Sequence, residues 1–165
     1  MFKKLFEKKR KIVAFVDYEN IASAAIEEGK ILDFKKLRSE LLKIGKIEFA
    51  FICIPADRIY GLPIGNGGVI DLGFHILLCP KRRIESDKLE DSVDIHIIQA
   101  GLKFLGYNEI TDVVIVSNDR HMIELAKEVQ NSRREVIIFS TDKISSMLKR
   151  VVGQANIRPA PLQSK

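Results

Sequence analysis

Five short runs of β-branched and aromatic residues recur along the 165-residue chain, and segments of helical periodicity separate them. The runs are IVAFVD (Ile12 to Asp17), IEFAFICI (Ile47 to Ile54), GFHILLCP (Gly73 to Pro80), DVVIVS (Asp112 to Ser117) and EVIIFS (Glu135 to Ser140). Runs that are apolar on both sides of the pleat fit a sheet covered on both faces, as parallel sheets are. Their alternation with helices predicts a three-layer α/β/α sandwich around a parallel, five-stranded, Rossmann-like sheet.

The intervening segments carry helix signals. A short helix is expected from Asn20 to near Gly29. Asp33 reads as an N-cap, Phe34, Leu37, Leu41 and Ile44 follow at helical spacing, and Gly45 ends the run. Ile95, Ile98, Leu102 and Leu105 mark a face ending near Gly106, and Met122, Leu125 and Val129 mark another between His121 and Asn131. Ile144, Leu148 and Val151 suggest a closing helix. Residues 55–72, with Pro55, Pro63 and four glycines, read as a long loop. Its GLPIGNGGVID stretch is not a phosphate-binding P-loop, because no Gly-Lys-Ser/Thr follows, and a mobile loop beside a cleft is expected.

A chain of 18.7 kDa with 46% hydrophobic residues suits one well-buried core. The expected organisation is an amino-terminal basic arm (1–11), one domain (12–152) and a loose tail (153–165) that contains Pro159 and Pro161. No stretch approaches the roughly 20 apolar residues of a membrane span, and MFKKLFEKKRK lacks the apolar core of a secretory signal. A cytoplasmic location and no stable membrane insertion are expected. Cys53 and Cys79 lie in apolar runs and read as reduced core residues.

Net charge is +5, but it is unevenly placed. Six of the 27 Lys and Arg and one of the 22 acids fall in residues 1–11, which leaves 21 of each sign in the body. Attraction to a polyanion must therefore come from local patches or from the arm. Phe2, Leu5 and Phe6 among the arm's lysines equally suit a short amphipathic surface helix.

Asp17 and Asp119 follow two apolar runs, at strand C-terminal ends where open α/β sheets keep their ligands. In a Rossmann order these two strands are neighbours and the two acids face each other. Asp87, Glu90, Asp91 and Asp94 are spaced i, i+3, i+4, i+7, one stripe if a helix extends back that far. The stripe reads as a solvated helix start, with Asp94 set apart because it directly precedes the apolar face. Converging carboxylates suit a hard cation such as Mg²⁺, which takes oxygen ligands and keeps water and phosphate in its remaining positions.

These residues carry a resemblance. FVDYEN (Phe15 to Asn20), SVDIHII (Ser92 to Ile98) and VVIVSNDRHMIELAKEV (Val113 to Val129) are similar, in order, to the Asp-x-x-Asn, Gly-Val-Asp-Val and Ser-Gly-Asp-x-Asp-Phe motifs of the NYN domain family. That family belongs to the PIN-like nucleases and includes LabA-like proteins, and the resemblance spans about Ile12 to Ser140. It implies a PIN-like fold and a metal-dependent ribonuclease. Asp17, Asp94 and Asp119 would be catalytic acids binding Mg²⁺ or Mn²⁺, with Asn20 a catalytic polar partner.

Two positions depart from the family pattern. His121 and Met122 stand where an aspartate and a phenylalanine are usual, and Ala100 stands where many members have an aspartate. His121 is an accessory candidate as an imidazole ligand or as proton donor to a leaving oxygen, against the plainer reading of a surface histidine. The alternative to an active ribonuclease is a catalytically degraded module that binds RNA or a protein partner. For RNA, Lys81, Arg82, Arg83 and Arg120 are the expected backbone contacts. A Rossmann-like nucleotide-binding protein fits less well, since the first strand leads into Asp-Tyr-Glu-Asn and not a glycine-rich turn.

Overall fold

The computed structural model describes residues 9–83 and 89–165. Most of the basic arm, with Phe2, Leu5 and Phe6, lies outside the described residues, as does Asp87 of the acidic stripe. The elements run β1 (Lys11–Asp17), α1 (Tyr18–Glu27), β2 (Lys30–Leu32), α2 (Phe34–Ile44), β3 (Lys46–Pro55), a 3-10 segment (Ala56–Gly61) and β4 (His75–Cys79). They continue with β5 (Arg82–Arg83), β6 (Leu89–Glu90), α3 (Val93–Phe104), β7 (Asp112–Val116), α4 (Met122–Asn131), β8 (Glu135–Ser140), α5 (Ser146–Val152), β9 (Ile157–Pro159) and β10 (Leu162–Ser164).

The central sheet has six strands in the order β4-β3-β1-β7-β8-β9, all paired in parallel. The chain builds outward from β1 to β4, then returns to pair β7 on the other side of β1. The order therefore reverses between β1 and β7, and their C-terminal ends flank the crevice.

Alternation along each strand divides the interior into two layers. Ile12, Ala14 and Val16 of β1 join Leu37, Leu41 and Ile44 of α2 on one face, while Val13 and Phe15 join Ile97 of α3 and Leu125 of α4 on the other. Each fully buried aliphatic side chain of this kind contributes about 1.5–3 kcal/mol. Asp33 caps α2 as expected, its Oδ1 accepting the Lys36 N–H at 2.9 Å. After α2 the chain must pass close to Arg10: a Cβ on Gly45 would sit 2.6 Å from the Arg10 carbonyl oxygen. Cys53 and Cys79 are free and buried, and burial pushes both thiols up, Cys79 to about 11.

Several expectations are corrected. The sheet has a sixth strand, β9, drawn from the segment expected as a loose tail, and β10 pairs antiparallel with β2. The Ala160 N–H donates to the Ser140 carbonyl at 2.7 Å, and the Asp33 N–H donates to the Pro161 carbonyl at 2.9 Å. Pro159 closes an edge strand, where a missing N–H costs nothing. The acidic stripe is not one helical face, because Leu89–Glu90 is strand and α3 starts only at Val93. The glycine-rich segment expected to be mobile is anchored in the core by Leu62 and Val69, which are 5% and 0% exposed.

Candidate metal centre

Asp17 ends β1 and is only 5% exposed. It occupies the N-cap position of α1 without a capping hydrogen bond of ordinary geometry, although the Asn20 N–H faces the carboxylate closely enough to favour its charge. It accepts instead from the Ser117 hydroxyl, Oγ to Oδ2 at 3.1 Å, across the strand junction. Burial pushes this carboxyl up to about 7, opposed by the Ser117 hydroxyl and the Asn20 backbone N–H and reinforced by the negative charge of Asp119 and Asp94.

Asn20 is not an N-cap either, since α1 has already begun at Tyr18. Its side-chain oxygen accepts the Asn118 N–H at 2.8 Å and lies 3.4 Å from Ser117 Oγ. Asn118 in turn accepts the Thr141 N–H at 2.9 Å, and the Asp119 N–H donates to Ser117 Oγ at 3.0 Å. The loop after β7 is thus held to α1 on one side and to the residue after β8 on the other. Its buried polar groups are satisfied within the protein.

This loop delivers Asp119, and α3 delivers Asp94 from its first turn. Asp119 Oδ1 accepts the His121 N–H at 2.9 Å. His121 Nδ1 lies 3.0 Å from Asp119 Oδ1 and 3.5 Å from Asp94 Oδ2. One ligand atom from each of Asp94, Asp119 and His121 falls within 4.8 Å of the others. Asp17 lies behind this trio, close enough to feel both charges, and is not one of the three. Two carboxylates and an imidazole are a chemically suitable donor set for a divalent cation.

An open groove of about 510 Å³ runs beside Asp119, lined by Asn20, Ser23, Glu27, Arg120, Lys143 and Ser145 among others. Lys143 forms an ion pair with Glu27 there. Of the expected RNA contacts, Arg120 lines this groove and Lys81, Arg82 and Arg83 do not. Lys81 pairs with Asp57 at 2.8 Å, and Arg82 and Arg83 form β5, paired with β6. Ala100 packs against the apolar cluster between the sheet and α3 and α4.

Sequence reasoning missed Ser117, Asn118 and Lys143. The first two had a signal, a pair of small polar residues between a strand and Asp119. Lys143 had none, because its place in the groove depends on how β8 and α5 are connected.

A model of the NYN domain family matches residues 11–155. Among solved structures, a protein of unknown function from Vibrio parahaemolyticus is similar, with a TM-score of 0.79 and 16% identity over 96% of this chain and 99% of that one. At that identity the likeness concerns the fold. No curated protein matches the chain.

Proposed function

The chain belongs to the NYN domain family, and we propose that it is a metal-dependent ribonuclease acting in the cytoplasm on RNA phosphodiester bonds. The observation that carries the reading is the convergence of Asp94, Asp119 and His121 within 4.8 Å at the crevice where the strand order reverses. Asp94 and Asp119, with His121, would hold a divalent cation of the Mg²⁺ or Mn²⁺ class, and Asp17 would complete the site from behind. When bound, the cation supplies an activated water and neutralises charge on the phosphate.

The protein's own groups do the positioning. Asn20 and Ser117 fix the loop that carries Asp119, so that this carboxylate meets Asp94 without rearrangement. Arg120 and Lys143 flank the groove and would bind phosphates of the strand without reading its sequence. No helix among the described residues is long and apolar enough to cross a membrane.

The test is cleavage of single-stranded and structured RNA by the purified chain with Mn²⁺ or Mg²⁺. Asp17→Asn and Asp119→Asn should each lower the rate by at least about 100-fold, the upper end of what losing even an outer-shell partner costs. Cleavage unchanged in both variants would remove these residues from the mechanism.

One observation favours a second reading. His121 occupies an acid's position and already contacts both carboxylates, an arrangement that also suits a non-cutting module binding RNA or a protein partner. That reading predicts RNA retention without products at any metal concentration.

A further inference from the structure

Of the chain's three histidines, only His121 reaches the acids. His75, on β4, is in ring contact with Phe49 and Phe51 of β3. His96 Nδ1 is engaged by the Ser92 carbonyl at 2.7 Å and lies 3.1 Å from the Ser92 hydroxyl. The candidate centre therefore offers one nitrogen and two carboxylates, in place of oxygens alone.

That difference changes which cation the site favours. Mg²⁺ is small and hard, holds its waters tightly and is bound through oxygen. Imidazole is a borderline donor that suits first-row transition metals, whose affinity for nitrogen sites rises from Mn²⁺ toward Co²⁺. His121 Nδ1 is aimed at the space between Asp94 and Asp119, 3.0 Å from one carboxylate and 3.5 Å from the other. An ion taken up by both acids meets this nitrogen. The ring is 56% exposed, so it is free to adjust to a ligand distance without disturbing the core.

We infer that His121 makes this centre select a first-row transition-metal dication, Mn²⁺ or Co²⁺, over Mg²⁺. The inference rests on the metal-site reading above. The role belongs to the residue that replaces the usual acid, so the substitution retunes the site and does not empty it.

The experiment is metal binding by the full chain without RNA. Mn²⁺, Co²⁺ and Mg²⁺ are titrated calorimetrically, and bound Mn²⁺ is examined by pulsed electron paramagnetic resonance for coupling to a directly bonded ¹⁴N. Wild type should bind Mn²⁺ and Co²⁺ at least about tenfold more tightly than Mg²⁺, because a nitrogen ligand favours first-row transition metals. It should show the nitrogen coupling.

His121→Ala should lose the coupling and most of the preference, and His121→Asp should lose the coupling while gaining Mg²⁺ affinity. The exposed position leaves both variants able to fold. Equal affinity for Mg²⁺ and Mn²⁺ in wild type, or a nitrogen coupling that survives in His121→Ala, overturns the inference. Failure of the ribonuclease reading looks different: nitrogen-ligated Mn²⁺ with no RNA cleavage defeats that reading alone. Mg²⁺-supported cleavage with no nitrogen coupling defeats only the selectivity.

Discussion

At the scale of single residues, Asp17 is where function and stability oppose each other. A carboxylate at 5% exposure is costly, and its carboxyl is pushed up to about 7 against an ordinary value near 4. The folded state then holds the proton more tightly than the unfolded chain does. This contribution to stability is fully present below about pH 4 and is lost as pH rises through about 7, by about 4 kcal/mol in all. Asp17→Asn removes that titration and keeps an oxygen for the Ser117 hydroxyl. In chelator, urea unfolding of Asp17→Asn should match wild type below about pH 4 and exceed it by about 4 kcal/mol at pH 8. A parallel decline of both proteins across this range would contradict the assignment. The side chains of Asp17 and Asn20 are bonded to the loop after β7, Asp17 by the Ser117 hydroxyl and Asn20 by the Asn118 N–H.

At the scale of elements, the site depends on how closely α3 approaches α4, because one carries Asp94 and the other begins just after His121. A Cβ on Gly101 would lie 2.6 Å from both terminal carbons of Leu125, which is itself fully buried. Gly101→Ala should therefore cost about 1–3 kcal/mol through overpacking, partly offset by about 1 kcal/mol of helix propensity. It should also weaken Mn²⁺ binding by forcing Asp94 away from His121. Calorimetric affinity together with denaturant midpoints checks both, and an unchanged midpoint would show that the helices have slack. The helices were legible because their apolar spacing, Phe34 to Ile44 for example, is imposed by the face they bury. β9 and β10 were not, since a three-residue strand carries no periodicity and its pairing with β8 or β2 is decided by distant parts of the chain. The same holds for Lys143, whereas Asp17, Asp94 and Asp119 were readable because each sits at the junction of a strong local pattern.

Across the whole molecule, the two ends of the sheet have different tasks. At the N-terminal end the buried Asp112 carboxylate is neutralised by Arg10, with Arg10 Nε to Oδ1 at 3.1 Å, and this partner holds the guanidinium above its usual range. Arg10→Ala leaves that carboxylate buried without its cation and should destabilise by about 1–3 kcal/mol, read from urea unfolding at neutral pH. A loss under about 0.5 kcal/mol, the usual range for surface changes, would show that water replaces the arginine freely. The C-terminal end carries the crevice between β1 and β7, beside the cluster of Asp94, Asp119 and His121, and the topology that puts it there is a reversal in strand order, which the alternating pattern allowed but did not specify. The central claim is that the convergence of Asp94, Asp119 and His121 is a cation site. Its most direct test is a crystal of the chain soaked in Mn²⁺ and examined for anomalous density. The account predicts a peak bonded to Asp94, Asp119 and His121 with Asp17 close behind. An absent peak, with the His121 ring still lying between the two carboxylates at high Mn²⁺, would contradict it.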